Sequence, residues 1–208
     1  MVNKQVTKEA NNISNVVYHN LQLARHSINE LNYLLNNPLD SVLFGALLYP
    51  PNCFINLIDI HGRNATIMLC SMFEGDLSLI KMINYFQTNI DSIDFKNPAV
   101  NKAIVASMIK DSVSEMNMLK DKYYQLIKAN RDKIAAHQDK INTNKPSDLH
   151  DFIFPLSNMN DLLPQLEKIF AKLYYSLTNV EYVIYKERSF INEGLHSLFD
   201  NNMKELDK

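Results

Sequence analysis

Apolar residues recur at helical spacing from about Gln5 to Asn36, at Ile13, Val16, Val17, Leu21, Ala24, Ile28, Leu31, Leu34 and Leu35. The pattern predicts one long amphipathic helix that stops before Pro38. Leu39 to Gly62 mixes apolar residues with the Pro50-Pro51 break and several Asn and Asp, which predicts short helical turns and loops. A second helix is expected over roughly Arg63 to Phe86, where Ile67, Met68, Cys70, Phe73, Leu77, Ile80, Ile83 and Phe86 form a broad apolar face suited to a central position. Thr88 to Pro98 is a polar connection, and Pro98 suits the first turn of a third helix running from Ala99 towards Ile141, with room for an interruption. A polar loop over Asn142 to Pro155 and a fourth helix from about Asp161 to Phe199 complete the pattern, before a polar tail from Asn201 to Lys208.

Four principal helices with short connections predict an all-α helical bundle. Composition agrees, because only four glycines interrupt long stretches rich in Leu, Met, Lys and Glu. With 208 residues, 46% of them hydrophobic, the chain suits a single folded domain and is too apolar for a disordered one. A net charge of -2 excludes the overall basic field of a protein that coats nucleic acid, so any RNA contact must be local. Cys53 and Cys70 form no CxxC pair, which predicts reduced, buried thiols in a cytoplasmic protein. The polar N-terminus lacks the apolar stretch of a secretory signal, and the apolar run Val42 to Tyr49 is too short to span a bilayer, so neither export nor a membrane partner is expected.

Chemistry concentrates late in the third helix. A heptad step turns only about 20° on an ideal helix, so Met116, Tyr123, Asn130 and His137 line up beside Leu119, Leu126, Ile127 and Ile134. An apolar stripe therefore turns polar towards its C-terminal end. Two readings are open: a helix that has run past the core, or a polar pocket at the bundle edge or a two-fold interface. Between Leu119 and Lys145 the basic residues Lys120, Lys122, Lys128, Arg131, Lys133, Lys140 and Lys145 face only Asp121, Asp132 and Asp139, a local excess of +4. Positive charge gathers where the polar residues enter, as phosphate binding requires, although a solvated helix shows the same excess.

The run Asn130-Arg131-Asp132-Lys133-Ile134-Ala135-Ala136-His137-Gln138-Asp139 resembles the signature of the HEPN superfamily, an Arg followed by a polar residue and, after four to six intervening positions, a His. Five residues intervene here, and the polar residue is Asp132. The wording looks like the abortive-infection AbiU branch, and Leu69 to Leu79 resembles that branch's preceding helix, so the resemblance covers about Ala65 to Lys140. It implies a HEPN-like bundle with a motif-bearing core over about 63–141, and a metal-independent endoribonuclease acting as a toxin or phage-defence effector. It also implies RNA as substrate, an antitoxin as a candidate partner and no cofactor. Separately, on a continuous helix Arg131 and His137 point in different directions, so a homodimer that shares the site is expected, unless a helix break near Arg131 brings the pair together within one chain. By this resemblance Arg131, Asp132 and His137 are the catalytic set, with Asn130, Lys128, Lys133 and Lys140 as RNA-binding candidates. The residue types suit the reaction: an imidazole exchanges protons near neutral pH, and a guanidinium holds phosphate oxygens. The alternative is a non-catalytic HEPN-like module that binds nucleotide, RNA or a protein, in which His137 is a helix-capping histidine and Arg131 part of a surface ion pair.

Other candidates are weaker. His19 and His26 share a face of the first helix without an acidic or cysteine ligand set, so no metal site is expected. Asp59, His61 and Arg63 form a polar cluster in an expected loop or cap. Glu74 and Asp76 flank Gly75, where a helix kink with solvated acids is the simple expectation and a charge partnership with Arg131 the sharper one. Tyr174, Tyr175, Tyr182 and Tyr185 recur at helical spacing as core and interface residues.

Overall fold

The computed structural model describes residues 2–36, 52–138 and 154–183. Among the described residues the protein is all-helical, without a strand. Its elements are α1 (Lys4–Asn36), α2 (Asn52–Ser71), α3 (Leu79–Asn89), α4 (Lys102–Leu119), a π-helical turn (Lys120–Tyr124), α5 (Gln125–Gln138) and α6 (Leu156–Thr178). Local chemistry sets several ends. The Asn3 side chain accepts from the backbone N–H groups of Gln5 (2.9 Å) and Val6 (3.3 Å), which caps α1. Ser78 and Asn101 cap α3 and α4 in the same way, accepting from Lys81 at 3.1 Å and Ile104 at 3.0 Å. Asn179 ends α6 in the left-handed region, φ 56°, with its N–H bonded to the Tyr175 carbonyl.

The helices share one apolar core. α1 packs against α2, α3 and α6, while α4 packs against α3 and α6, and α5 against α2. Leu21 and Ile28 of α1, Leu69 of α2, Phe86 of α3 and Phe170 of α6 are fully buried within it. The pairing of α5 with α2 lays the residues that follow Tyr124 beside the end of α2.

Several expected boundaries move. The second expected helix is two helices, because α2 ends at Ser71 and the chain turns through Glu74, Gly75 and Asp76 before α3 starts. Gly75 adopts φ +94°, which an L side chain rarely takes, and Ser78 supplies a new cap. Apolar spacing continues on both sides of this corner, so the pattern alone reads through it. α2 also begins at Asn52, so Asp59, His61 and Arg63 lie inside a helix, where the Arg63 Nε donates to Asp59 Oδ1 at 2.7 Å. The fourth expected helix starts five residues early, at Leu156, and ends at Thr178 instead of running on towards Phe199. Residues 180–183 after the Asn179 cap are not helical. The first expected helix matches α1, and the third corresponds to α4 and α5, joined without a break by the π turn. Val42 to Tyr49 and Tyr185 lie outside the described residues.

The π turn shifts the helix register. Buried positions step through Val105, Ile109, Ser112, Met116 and Leu119 by alternating fours and threes, then take two fours in succession to Tyr123 and Ile127. The extra residue turns Leu126 out to 46% exposure and keeps Ile127, Asn130 and Ile134 facing the core. Lys122 ties the turn to α6 through Asp161 at 2.9 Å, and the Tyr123 hydroxyl donates to the same carboxylate. Hydrogen bonding from Tyr123, then from Lys122, holds the Asp161 carboxyl below its ordinary range.

Candidate functional site

The corner between α2 and α3 carries a carboxylate onto the flank of α5. Glu74 uses both of its oxygens there. One faces Arg131 Nη1, and the other accepts from the Tyr124 hydroxyl at 2.6 Å. The Cys70 thiol, one turn back at the end of α2, donates to the Arg131-facing oxygen at 3.6 Å. On its other edge Arg131 is held by its neighbour, Nε at 2.9 Å and Nη2 at 2.7 Å from a single oxygen of Asp132. The guanidinium is thus fixed between two carboxylates, one from a different helix pair and one from its own turn. A phosphate oxygen reaching it has to share the cation with them or displace one.

Two neighbours report the local polarity. Burial pushes the Cys70 thiol up, with Arg131 and Lys128 opposing and Asp132 adding to the rise. This cysteine is fully buried and unpaired, and it stays a protonated thiol at neutral pH. The Tyr124 phenol is likewise raised, by burial first and then by Cys70 and Asp132, so it remains a donor to Glu74.

Of the residues singled out in the sequence, Arg131 and Asp132 are in contact, and Glu74 joins them as the charge partner. Lys128 lies on the same flank, its Nζ 5.7 Å from the centre of the Tyr124 ring. Lys133 is exposed. Asn130 is only 6% exposed, faces the core, and donates to the Leu126 carbonyl at 2.9 Å within its own helix. Lys140 lies outside the described residues, and His137 is described by its backbone alone, in the last turn of α5. The helix is regular from Gln125 through Gln138, so no break between Arg131 and His137 folds the two positions together within one chain. Six residues advance about 9 Å and leave the two positions about 120° apart around the axis.

Tyr124 and Cys70 were missed as members of this cluster. Tyr124 stands seven residues before Arg131, a spacing that puts both on one helix flank, and that count finds it without a structure. Elsewhere the aromatic residues behave as core: Tyr18, Phe170, Tyr174 and Tyr182 pack together, with ring centres of Phe170 and Tyr174 5.1 Å apart, while Tyr175 is exposed. His19 is exposed, and His26 instead sits 5.7 Å from the ring of His61. Among the described residues no group of three or more His, Cys, Asp or Glu is arranged to hold a metal ion, and no helix is long and apolar enough to cross a membrane. Comparison with known protein families, with curated proteins and with solved structures finds no match to this chain.

Proposed function

We propose that this protein is a metal-independent endoribonuclease of HEPN type, a single-domain cytoplasmic toxin or phage-defence effector. In this reading α1, α2, the joined α4 and α5, and α6 are the four principal helices of the bundle. The observation that carries it is the Arg131 guanidinium held at the α5 flank by Glu74 and Asp132, six residues before a histidine on the same unbroken helix.

The reaction needs a proton acceptor, a proton donor and a cation. The ribose 2′-oxygen attacks the adjacent phosphorus and gives its proton to a base. The bond from phosphorus to the 5′-oxygen breaks, and that oxygen takes a proton, leaving a 2′,3′-cyclic phosphate and a 5′-hydroxyl. His137 serves one or both proton transfers near neutral pH, and Arg131 stabilises charge on the non-bridging oxygens as it builds. Asp132 fixes the guanidinium plane from the Nε edge. Because the helix is regular between Arg131 and His137, one chain directs the two positions to different sides. That supports a homodimer in which Arg131 of one chain works with His137 of the other across a two-fold axis.

The double carboxylate contact on Arg131 favours a second reading, a non-catalytic helical module whose Arg131 is a structural ion pair and whose partner is RNA, a nucleotide or a protein such as an antitoxin. Incubating the pure chain with total transfer RNA in a chelator, beside His137→Ala, separates the two. Cleavage that leaves cyclic phosphate ends and disappears in the variant is expected. Equal traces of cleavage in both proteins, or strict dependence on added magnesium or manganese, defeat the ribonuclease reading.

A further inference from the structure

Resting on the ribonuclease reading above, we infer that Tyr124, Lys120 and Lys128 form a seat for the nucleotide adjoining the phosphate at Arg131, so that the site takes single-stranded RNA along the α5 flank. Lys120, Tyr124, Lys128 and Arg131 follow one another at steps of four, four and three, which sets them on one stripe of the π turn and α5. The two ammonium groups lie 5.6 Å and 5.7 Å from the centre of the Tyr124 ring. Both ammonium groups thus lie over the aromatic ring, where a stacking base displaces one of them towards its own phosphate, and the stripe leads on to an arginine. This is the combination a nucleotide chain requires: cations for successive phosphates and a flat apolar surface for a base between them.

Three features separate this stripe from an ordinary solvated helix face. The ring is half-buried and held from two sides, by Phe73 with ring centres 5.8 Å apart and by Glu74 at its hydroxyl, so it is oriented before a ligand arrives and loses little freedom on binding. The same Glu74 faces Arg131, which links ring and guanidinium through one side chain. Lys120 and Lys128 have no carboxylate partner within 4.0 Å among the described residues, whereas Lys122, on the adjoining face, is paired with Asp161. The π turn contributes by its extra residue: with Leu119, Tyr123 and Ile127 buried four apart, the positions one step round from Tyr123 and Ile127 are Tyr124 and Lys128.

The test uses the full chain carrying His137→Ala, which leaves RNA uncleaved, and follows the anisotropy of a fluorescent single-stranded RNA of about ten nucleotides, a length within the usual span of such sites. Tyr124→Ala is expected to weaken binding about 5- to 100-fold with the salt dependence unchanged, and Tyr124→Phe to keep most of the affinity, since the ring does the work. Replacing Lys120 and Lys128 together by Ala is expected to lower the slope of log affinity against log salt by about 1.4. Duplex RNA should bind more weakly, because its bases are not free to meet the ring. RNA binding that depends on Arg131 but ignores both Tyr124→Ala and the lysine pair overturns the seat and leaves the ribonuclease reading standing. RNA binding that is absent, or indifferent to Arg131→Ala, overturns both. Displacement of RNA by poly-glutamate as readily as by unlabelled RNA shows a bare charge surface and also overturns the seat. If Tyr124→Ala does not fold, the salt slope of the surface lysine variant decides, and an unchanged slope defeats the inference.

Discussion

Two clusters in this protein use the same three residue types, an arginine, a glutamate and a tyrosine, in different surroundings. Between α1 and α6, Arg25 meets Glu167, and the Tyr182 hydroxyl donates to the same carboxylate at 3.2 Å. At the α2–α3 corner, Arg131 meets Glu74, and the Tyr124 hydroxyl donates to it at 2.6 Å. Solvent separates them. The Glu167 side chain is 1% exposed and that of Arg25 17%, against 27% for Glu74 and 31% for Arg131. In the buried set the rings of Tyr18 and Phe170 pack edge-on against Tyr182. The open set keeps a guanidinium at the surface beside two lysines that have no carboxylate partner among the described residues. Residue identity is therefore shared by the two clusters; access to water and surplus charge are what differ.

The largest difference should appear in stability. Glu167→Ala leaves the Arg25 cation partly buried without its partner, which costs about 3–5 kcal/mol. Denaturant titration of this variant should show an early transition or a chain already unfolded. A loss no larger than that of the open cluster would erase the contrast.

Activity should reverse the order. Arg131→Ala is expected to lower RNA cleavage about 100- to 1,000-fold, the loss typical of removing a donor to developing charge. Its melting temperature should stay within about 2–4 °C of wild type, since a half-exposed ion pair contributes at most about 1 kcal/mol. If cleavage survives and the melting temperature falls steeply, Arg131 is scaffold like Arg25.

Alkaline pH offers a third comparison. Burial, with Glu167 beside it, pushes the Tyr182 phenol far up, while the rise at Tyr124 comes from a shallower burial. A phenol raised above its unfolded value of about 10 adds stability that is complete below that pH and is lost as pH climbs through the folded value. Melting temperature should therefore fall above about pH 10, where the unfolded phenols ionise first. Tyr182→Phe should flatten that fall more than Tyr124→Phe does. Equal slopes in the two variants would mean that the clusters are equally closed to water.

The parts of this design that were legible in the sequence are those set by periodicity. α1 was readable almost to the residue, because its apolar spacing runs unbroken to the region of Pro38. At Gly75 a kink is expected but not a full corner, since Phe73, Leu77 and Ile80 keep helical spacing across it and only the backbone angle shows that the chain has turned. The end of α6 was missed for a related reason: apolar residues continue past Thr178, and Asn179 carries a cap that only its left-handed φ discloses. At the site, Arg131 and Asp132 stand in a local run of sequence, and Glu74 stands out as an acid in an apolar stretch. The seven-residue count places Tyr124 on the flank of Arg131, but its bond to Glu74 stays hidden, since that depends on α5 packing against α2, a contact between segments about 50 residues apart.

The smallest expected effect is the sharpest on the role of Glu74. Glu74→Gln removes one negative charge and keeps one acceptor: the amide oxygen accepts from Arg131, while the NH2 group donates to the Tyr124 hydroxyl oxygen in place of accepting from it. Stability should change by less than about 1 kcal/mol, because the pair is half-exposed and solvent screens it. Anion binding should move the other way. With Glu74 neutral, Arg131 faces one carboxylate in place of two, so phosphate meets less opposing charge. An exposed pair is worth about 0.2–1 kcal/mol, which corresponds to an affinity for inorganic phosphate about 1.4- to 5-fold higher, measured by chemical-shift titration at low salt. The opposing effect is orientation: if the charged carboxylate is what aims the guanidinium, Gln holds it less firmly and affinity falls. Asp132 still grips the Nε edge through two hydrogen bonds, so aim should survive and charge should decide. A phosphate affinity that drops in Glu74→Gln would assign Glu74 to orientation, and the open cluster would then resemble the buried one more closely than its exposure suggests.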